Sequence, residues 1–224
     1  EELDISPVKV RGVAEFYSFL YTAPRGSYDL LFSDNITDRM LGSREMLHAL
    51  CDRLGVRVGE TRADGVVTVG TTSCTGMCDQ GPAALVNGYT LTRLDKPRLD
   101  RIVELVNRQV PLAEWPREFF EVASNIRRAD ILLGRHFADG TALRAVLKRG
   151  PEAILEEMVK SGLRGQGGAG FKSAAKWMSC RNAPGAVKYV VCNADEGEPG
   201  TFKDRVLMQD FADLVFEGMT LCGR

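Results

Sequence analysis

The order of the short hydrophobic segments between residues 26 and 108 constrains the fold more than any other feature of the chain. Residues 28–32, YDLLF, have the apolar and aromatic composition of a strand. A helix follows, with Ser43 as its expected N-cap, Gly55 at its C-terminal position and apolar residues at helical spacing between them. These segments predict a strand that leads into a helix.

A second strand, a hairpin and a second helix continue this pattern. Residues 65–70, GVVTVG, have the composition of a strand. Asn87-Gly88 predicts a hairpin between short strands, because a type I′ turn needs positive φ at both central residues. Pro97 then begins a helix with one apolar face. The order β-α-β-β-α predicts a small α/β sandwich of the thioredoxin type.

The loop after the second strand, TTSCTGMC, places Cys74 and Cys78 four positions apart. This spacing suits two thiolates on one metal ion, but a metal ion or an iron-sulfur cluster normally needs four ligands. Six cysteines in a chain of 224 residues do not indicate a disulfide framework, which belongs to short secreted domains. A histidine-rich site is excluded, because His48 and His136 are far apart in the sequence and there is no third histidine. The other four cysteines are expected to serve in packing: Cys51, Cys180, Cys192 and Cys222.

Charge and hydropathy argue against two classes of partner. Lys and Arg total 29 against 30 for Asp and Glu, and no basic stripe carries interleaved aromatic residues, so we expect no nucleic-acid partner. No apolar run approaches the ~20 residues of a membrane span, and residues 1–4 lack the features of a signal peptide, so we expect a cytoplasmic protein. The chain has no initiating Met and its last residues have a helical pattern, so we expect it to be a fragment that starts with the remnant of a helical lead-in over residues 1–25.

A glycine-rich loop marks a second α/β domain after a polar connector over residues 109–140. A helix is expected to begin at Gly150-Pro151, and Gly165, Gly167 and Gly170 after it match the dinucleotide fingerprint G-x-G-x-x-G. That fingerprint requires a preceding strand, so the match fails its structural context here.

The local chemistry of this loop still favours a ligand. Four glycines in six residues let backbone N–H groups face an anion and let a flat ring lie against the main chain. Phe171 could stack on such a ring, and the flanking Arg164 and Lys176 could neutralise a phosphate. A flexible turn with ordinary surface charges is the alternative.

An acidic loop follows an apolar segment, residues 187–192, which we predict to be a strand buried on both faces. Asn193 offers a donor and an acceptor to the edge of a flavin or nicotinamide, and three carboxylates follow at Asp195, Glu196 and Glu198. Facing a pocket, these carboxylates would mark a functional site, whereas exposed they would form a solvated acidic turn.

The motifs of both halves resemble subunits of the NADH dehydrogenase module of respiratory complex I. In its flavin-carrying subunit the pattern is S-G-L-R-G-R-G-G-A-G-F, then K-W, then C-N-A-D-E-x-E-P-G-T-F-K-D-R, and this chain has SGLRGQGGAGF, KW and CNADEGEPGTFKDR. Gln166 replaces the usual arginine, and KSAA replaces P-T-G-L, so local contacts to the nucleotide are expected to differ. The earlier segment, with VRGVAEFYSFL, the C-x3-C loop and GPAALVNG, is similar to the subunit that carries a thioredoxin-like ferredoxin.

Fusion of these two subunits in one chain resembles the diaphorase alpha subunits of soluble NAD-reducing NiFe hydrogenases. The resemblance implies an α/β protein with a thioredoxin-like 2Fe-2S ferredoxin-type domain over residues 26–108. It further implies the truncated N-terminal part of an α/β domain that binds FMN and NADH over residues 141–224, after the connector 109–140.

The resemblance also implies FMN and NAD as cofactors, with a 4Fe-4S cluster held beyond this fragment. No catalytic acid or base is assigned, because hydride transfer between nicotinamide and flavin depends on stacked rings. The residues implied in binding FMN and NAD are Gly165, Gly167, Gly168, Gly170, Phe171, Lys176, Asn193, Asp195, Glu196 and Glu198.

In the ferredoxin family, the second ligand pair forms a C-x4-C motif whose positions here are Ser33 and Asp38. Their oxygen atoms are harder ligands than thiolate and are uncommon in iron-sulfur sites. Three alternatives remain open: a site that has lost its cluster, a 2Fe-2S cluster held by two thiolates and two oxygens, or a redox-active pair of Cys74 and Cys78. We expect the 2Fe-2S cluster to be absent or the site degenerate.

The resulting functional hypothesis is an NAD-reducing hydrogenase diaphorase subunit, in which flavin and iron-sulfur clusters couple hydrogen oxidation to NAD reduction. The alternatives are the NADH-oxidising module of complex I or of an NAD-linked formate dehydrogenase, and an assembly module without bound flavin. The expected partners are NAD(H) and the other diaphorase and NiFe hydrogenase subunits in a hetero-oligomer.

Overall fold

The computed structural model describes residues 5–17, 19–134, 138 and 140–224. His136, one of the two histidines of the chain, lies outside the described residues, as do residues 1–4 of the predicted lead-in. The strands are β1 (Tyr28–Ser33), β2 (Val67–Thr72), β3 (Ala84–Val86) and β4 (Tyr89–Leu91). The α-helices are α1 (Pro7–Phe16), α2 (Ile36–Met40), α3 (Ser43–Leu54), α4 (Lys96–Asn107), α5 (Asp130–Leu133), α6 (Thr141–Arg149), α7 (Pro151–Ser161), α8 (Ser173–Asn182), α9 (Lys203–Asp210) and α10 (Ala212–Cys222).

Two compact units divide the chain. The first unit contains Glu1–Asn125 and Glu196–Phe202, and the second unit contains Ile126–Asp195 and Lys203–Arg224.

A four-stranded sheet in the order β2-β1-β3-β4 forms the centre of the first unit. β1 runs parallel to β2 and antiparallel to β3, and β3 pairs with β4 in a hairpin. Asn87 and Gly88 have φ values of 49° and 84°, as the predicted two-residue turn requires. The α/β class is therefore confirmed. The observed order β-α-α-β-β-β-α differs from the predicted β-α-β-β-α order by the short helix α2 and by one strand, because each arm of the hairpin is a strand of its own.

Helices α3 and α4 pack together and enclose the core of the first unit with the sheet. Leu50 of α3 and Val106 of α4 are completely buried, together with Val67 and Val69 of β2. Complete burial of each aliphatic side chain of this size contributes about 1.5–3 kcal/mol before entropy costs, which explains why the hydrophobic period of these segments predicted their structure.

The connector begins as a packed segment, although its sequence predicted a polar and irregular one. Trp115 is 3% exposed, stacks on Tyr28 with ring centroids 5.8 Å apart, and donates a hydrogen bond from Nε1 to the Val110 carbonyl at 2.9 Å. Phe119 is also buried. Two aromatic side chains among many polar residues therefore attach this segment to the core.

The second unit is built of α5 to α10 in the described part of the chain. The Glu217 carboxylate of α10 accepts hydrogen bonds from the backbone N–H groups of Leu143 at 2.8 Å and Gly140 at 3.3 Å, and so stabilises the N-terminus of α6. Among the described residues, the buried apolar side chains of the second unit are Val146 and Ala174.

The prediction of a buried strand over residues 187–192 is wrong for this structure. The segment has no regular secondary structure, and Tyr189 and Val191 are 82% and 81% exposed. A strand needs a hydrogen-bonded neighbour, and the sheet found among the described residues contains β1 to β4 only.

Helix α1 covers Pro7–Phe16 only, a part of the helical lead-in predicted over residues 1–25, and none of its side chains is buried. No helix among the described residues is both long and apolar enough to cross a membrane.

Candidate functional site

Two candidate sites follow from the sequence, one at the Cys74 loop in the first unit and one at the glycine-rich and acidic loops. In the first, β1 and β2 are parallel neighbours, with Ser33 paired in register to Thr72, so their carboxyl ends lie at the same edge of the sheet. Ser33 ends β1, and the loop that carries Cys74 and Cys78 follows β2. The topology therefore brings the predicted ligand positions together.

Asn35 lies at the centre of these positions. Its Nδ2 atom is 2.8 Å from Ser33 Oγ and 2.7 Å from Asp38 Oδ2, and 3.5 Å from the Sγ atoms of both Cys74 and Cys78. Asn35 is 6% exposed, and Ser33 and Asp38 are buried. One carboxamide nitrogen is thus within reach of all four side chains.

The orientation of this carboxamide is fixed from its other end. Asn35 is the N-cap of α2, and its Oδ1 atom accepts a hydrogen bond from the backbone N–H of Asp38 at 2.9 Å. Because Oδ1 is the acceptor in the cap, Nδ2 is the atom that faces the carboxylate of Asp38.

The Asp38 carboxylate is held on two sides. Its Oδ2 atom accepts from Asn35, and its Oδ1 atom accepts from the backbone N–H of Ala83 at 2.9 Å. Gly81 approaches so closely that a Cβ atom at this position would lie 2.7 Å from Asp38 Oδ1. Both oxygens of Asp38 therefore already have protein donors.

The two thiols are close to each other, with the Sγ atoms of Cys74 and Cys78 3.5 Å apart. Cys74 Sγ accepts from the backbone N–H of Gly76 at 3.3 Å, and Cys78 Sγ accepts from that of Gly200 at 3.2 Å. Burial, followed by the hydrogen bond with Cys74, raises the pKa of the Cys78 thiol to about 11. The neutral thiol of Cys78 is thereby favoured at pH 7.

Sequence reasoning found Ser33, Asp38 and the cysteine pair but missed Asn35. The usable signal was local: an asparagine three residues before Asp38, at the start of a short helix, is a typical N-cap. In the described part of the chain, no three His, Cys, Asp or Glu side chains are grouped so that they could hold a metal ion.

The glycine-rich loop lies between α7 and α8, so a helix precedes it, as expected. An isolated antiparallel bridge between Arg164 and Lys172 closes the loop, and Gly165 N–H donates to the Phe171 carbonyl at 2.9 Å. Arg164 Nη1 donates to the Gly170 carbonyl at 2.9 Å, so this cation supports the shape of the loop.

Two glycines in this loop have backbone conformations that favour glycine. Gly168 and Gly170 have φ values of 96° and 59°. No atom lies within 4 Å of a Cβ built on Gly167, Gly168 or Gly170, so the loop is open on the side where a ligand would approach. Exposed backbone groups of this kind suit the phosphate and ring of a nucleotide.

Phe171 and Lys176 complete this side of the loop. Phe171 is 53% exposed, and the Lys176 Nζ atom lies 5.8 Å from its ring centroid. Lys176 also lines a cavity of about 410 Å³ in the second unit with Trp177 and Tyr189. The other predicted binding residues do not line this cavity.

The acidic loop is largely open to solvent. Asn193 Oδ1 accepts from the backbone N–H of Asp195 at 3.1 Å, which forms a local turn. Asn193, Asp195 and Glu198 are exposed, and Glu196 is half-buried with a φ of 50°. Asp195 belongs to the second unit, whereas Glu196 and Glu198 belong to the first.

The remaining cysteines divide by burial. Cys51 is buried in the core of the first unit, as expected. Cys180, Cys192 and Cys222 are exposed, so the expectation that they serve in packing is wrong for this structure.

Comparison with known proteins shows two family matches along the chain. Residues 1–107 match the thioredoxin-like [2Fe-2S] ferredoxin family, and residues 158–224 match the Nuo51 FMN-binding domain family. The NAD-reducing hydrogenase HoxS subunit alpha of Cupriavidus necator is 36% identical over 231 residues, covering 98% of this chain and 38% of that protein. The predicted resemblance is confirmed.

Solved structures agree with these matches. A crystal structure of an NAD+-reducing NiFe-hydrogenase in the H2-reduced state has a TM-score of 0.87 at 38% identity and covers 99% of this chain and 39% of that chain. An NADH-quinone oxidoreductase subunit of Rhizobium meliloti is 44% identical over 103 residues, covering 43% of this chain and 24% of that protein. The chain thus spans about two fifths of the alpha subunit and of the hydrogenase chain that it matches.

Proposed function

We propose that this chain is part of an FMN-dependent NAD(H) oxidoreductase, the diaphorase subunit of an enzyme that couples hydrogen oxidation to NAD reduction. The observation that carries the proposal is the similarity to an NAD-reducing hydrogenase alpha subunit along 98% of the chain, across both the ferredoxin-like and the FMN-binding segments. The expected partners are NAD(H) and the other diaphorase and NiFe hydrogenase subunits of a hetero-oligomeric, cytoplasmic enzyme.

The residues of the glycine-rich loop fit a flavin and a dinucleotide. Its backbone is open at Gly167, Gly168 and Gly170, so a flat or anionic group can lie against the main chain there. Gly165 instead holds the start of the loop, because its N–H donates to the Phe171 carbonyl. When bound, FMN accepts two electrons as hydride and releases them singly.

The other predicted binding residues have distinct roles in the proposal. Phe171 offers an exposed ring for stacking, and Lys176 places a positive charge beside it. Asn193 and the carboxylates of Asp195, Glu196 and Glu198 offer polar contacts to FMN or the nicotinamide. Their work is to bind and orient the rings, since hydride transfer between stacked rings depends on position.

Two substitutions in one loop test the nucleotide-binding proposal in the intact protein. Gly168→Ala forces a side chain at a φ of 96°, which costs about 1–3 kcal/mol, so we expect the FMN affinity in a fluorescence-quenching titration to fall by roughly 5- to 150-fold. Gly167→Ala introduces no positive-φ strain, so any loss of affinity there reports a ligand lying against the backbone. Gly12→Ala in α1, with no atom within 4 Å of the added Cβ, is the neutral control.

Absence of bound flavin in the intact protein would refute the proposal and favour an assembly module. Unchanged FMN and NAD affinities in both Gly168→Ala and Phe171→Ala would place the nucleotide site elsewhere.

A second candidate is the NADH-oxidising module of a quinone-linked enzyme, which the similarity to the Rhizobium meliloti NADH-quinone oxidoreductase favours. Purification of the intact protein with its associated subunits separates the two candidates. We expect a NiFe subunit in the complex and hydrogen-driven reduction of NAD. Quinone-linked subunits without any nickel would instead support the second candidate.

A further inference from the structure

The Asn35 nitrogen contacts both the cysteine pair and the two oxygen side chains of the predicted ligand set. A metal-thiolate bond is about 2.3 Å long for zinc, so two thiolates on one tetrahedral ion lie ~3.8 Å apart, near the 3.5 Å measured between Cys74 Sγ and Cys78 Sγ. The spacing of the thiols alone would therefore accept a metal. However, Asn35 Nδ2 is 3.5 Å from both sulfurs and lies where such a metal would have to enter.

The Asn35 carboxamide also forms hydrogen bonds with the oxygen atoms of Ser33 and Asp38. The two protons of a carboxamide nitrogen match the two short contacts, 2.8 Å to Ser33 Oγ and 2.7 Å to Asp38 Oδ2. The second oxygen of Asp38 is held by the Ala83 N–H. Iron at Asp38 would have to displace hydrogen bonds that lie inside a buried site, where lost hydrogen bonds are costly.

Removal of Asn35 from the centre would also break a helix cap. The Asn35 Oδ1 atom accepts a hydrogen bond from the Asp38 N–H at the start of α2. If the side chain turned away, this buried N–H would lose its hydrogen-bond partner. The residue is thus fixed at both ends, and the residues present do not fit a 2Fe-2S cluster.

We infer that the Asn35 carboxamide takes the place of the 2Fe-2S cluster, so that Ser33, Asp38, Cys74 and Cys78 form a metal-free hydrogen-bonded centre. This centre joins the end of β1, the start of α2 and the loop after β2. Electrons therefore do not pass through this domain by way of these four residues.

Iron and sulfide incorporation into the 224-residue chain tests the inference with two variants that differ only at Asn35. Ser33→Cys with Asp38→Cys restores four cysteines but keeps the carboxamide, and the second variant adds Asn35→Gly. After anaerobic reconstitution with ferrous iron and sulfide, we expect the triple variant to hold about two iron and two sulfide per chain, the content of one 2Fe-2S cluster. We expect the wild type and the double variant to hold less than about one tenth of that amount.

Three results would overturn the inference. The first is a wild-type chain with about two iron and two sulfide and the visible absorption of a cluster. The second is equal cluster content in the double and triple variants, which would show that Asn35 does not occupy the cluster position. The third is a folded triple variant, verified by circular dichroism, that binds no iron.

A measurement on the wild type keeps the test decisive if the variants do not fold. In ¹⁵N-resolved NMR of the wild-type chain, the Asn35 side-chain NH₂ protons should exchange with solvent more slowly than those of exposed Asn182, by roughly tenfold or more. Addition of iron and sulfide should leave both signals unchanged. Equal exchange rates, or loss of the Asn35 signals on iron addition, would contradict the metal-free centre.

Discussion

At the scale of single residues, Tyr21 belongs to a hydrogen-bonded group that no sequence motif marked. Its hydroxyl donates to Asp29 Oδ2 at 2.8 Å, Arg25 Nη2 donates to Asp29 Oδ1 at 2.6 Å, and the Arg25 guanidinium lies 4.5 Å from the Tyr21 ring centroid. Burial, together with the hydrogen bond to Asp29, raises the pKa of Tyr21 to about 12. The neutral phenol is thereby favoured in the folded chain.

We predict that Tyr21 ionises near pH 12, about two units above an ordinary tyrosine. Because the folded pKa is raised, this group adds stability that is complete below pH ~10 and is lost as the pH rises through about 12. The difference in tyrosinate absorbance between wild type and Tyr21→Phe measures the step. Asp29→Asn should lower the pKa of Tyr21, because the hydroxyl loses its anionic acceptor. A difference curve centred near pH 10 in the wild type would contradict the prediction.

The ligand positions and Asn35 show how far sequence reasoning reached at this scale. Ser33 and Asp38 were located because the C-x4-C pair of the ferredoxin family fixes two positions in the sequence, even where the residues at those positions are not cysteines. Asn35 was missed because its role depends on two elements far apart in sequence, the start of α2 and the loop after β2. A cap can be read from local sequence, but a contact across 39 residues cannot.

At the scale of elements, α1 and α4 begin in different ways. Asp95, the N-cap of α4, accepts a hydrogen bond from the Arg98 N–H at 2.8 Å, and α4 packs four buried side chains into the core. Ser6 precedes Pro7 at the start of α1 but makes no capping hydrogen bond, and α1 buries no residue. The same type of sequence signal thus has a structural consequence in one helix and not in the other.

Asp95→Ala should therefore destabilise the first unit by about 0.5–2 kcal/mol, because one backbone donor of α4 loses its partner. Chemical denaturation followed by circular dichroism measures the change. Asp95→Asn should restore most of the loss, since asparagine is an equally good cap. Ser6→Ala is the matched control and should have no effect; an equal loss in both alanine variants would contradict this account.

The spacing of hydrophobic residues predicted the elements that have packing partners in this structure. It failed for a segment that has no packing partner among the described residues. Residues 28–32 have a sheet neighbour on both sides, and the predicted strand forms there. The equally apolar residues 187–192 have no sheet neighbour among the described residues, and they are irregular and exposed. Burial depends on neighbours as well as on the segment itself, so composition alone could not separate the two cases.

At the scale of the whole molecule, the buried core is unevenly divided. The hydrophobic cluster runs from Tyr28 to Phe119 and lies entirely in the first unit, whereas the second unit buries Val146 and Ala174 among its described residues. Local stability follows the density of buried apolar contacts. The two units of this 224-residue chain should therefore differ in how often their backbones open.

Amide hydrogen exchange on this chain should be slowest in β1, β2 and α3, roughly a hundredfold slower than in α7 and α8. Leu50→Ala removes a completely buried side chain and should cost about 2–5 kcal/mol, so exchange of these core amides should accelerate. Leu147→Ala is the matched control, because Leu147 is 64% exposed and its truncation leaves no core cavity. Equal protection of α7 and β1 in the wild type would show that contacts absent from this structure stabilise the second unit.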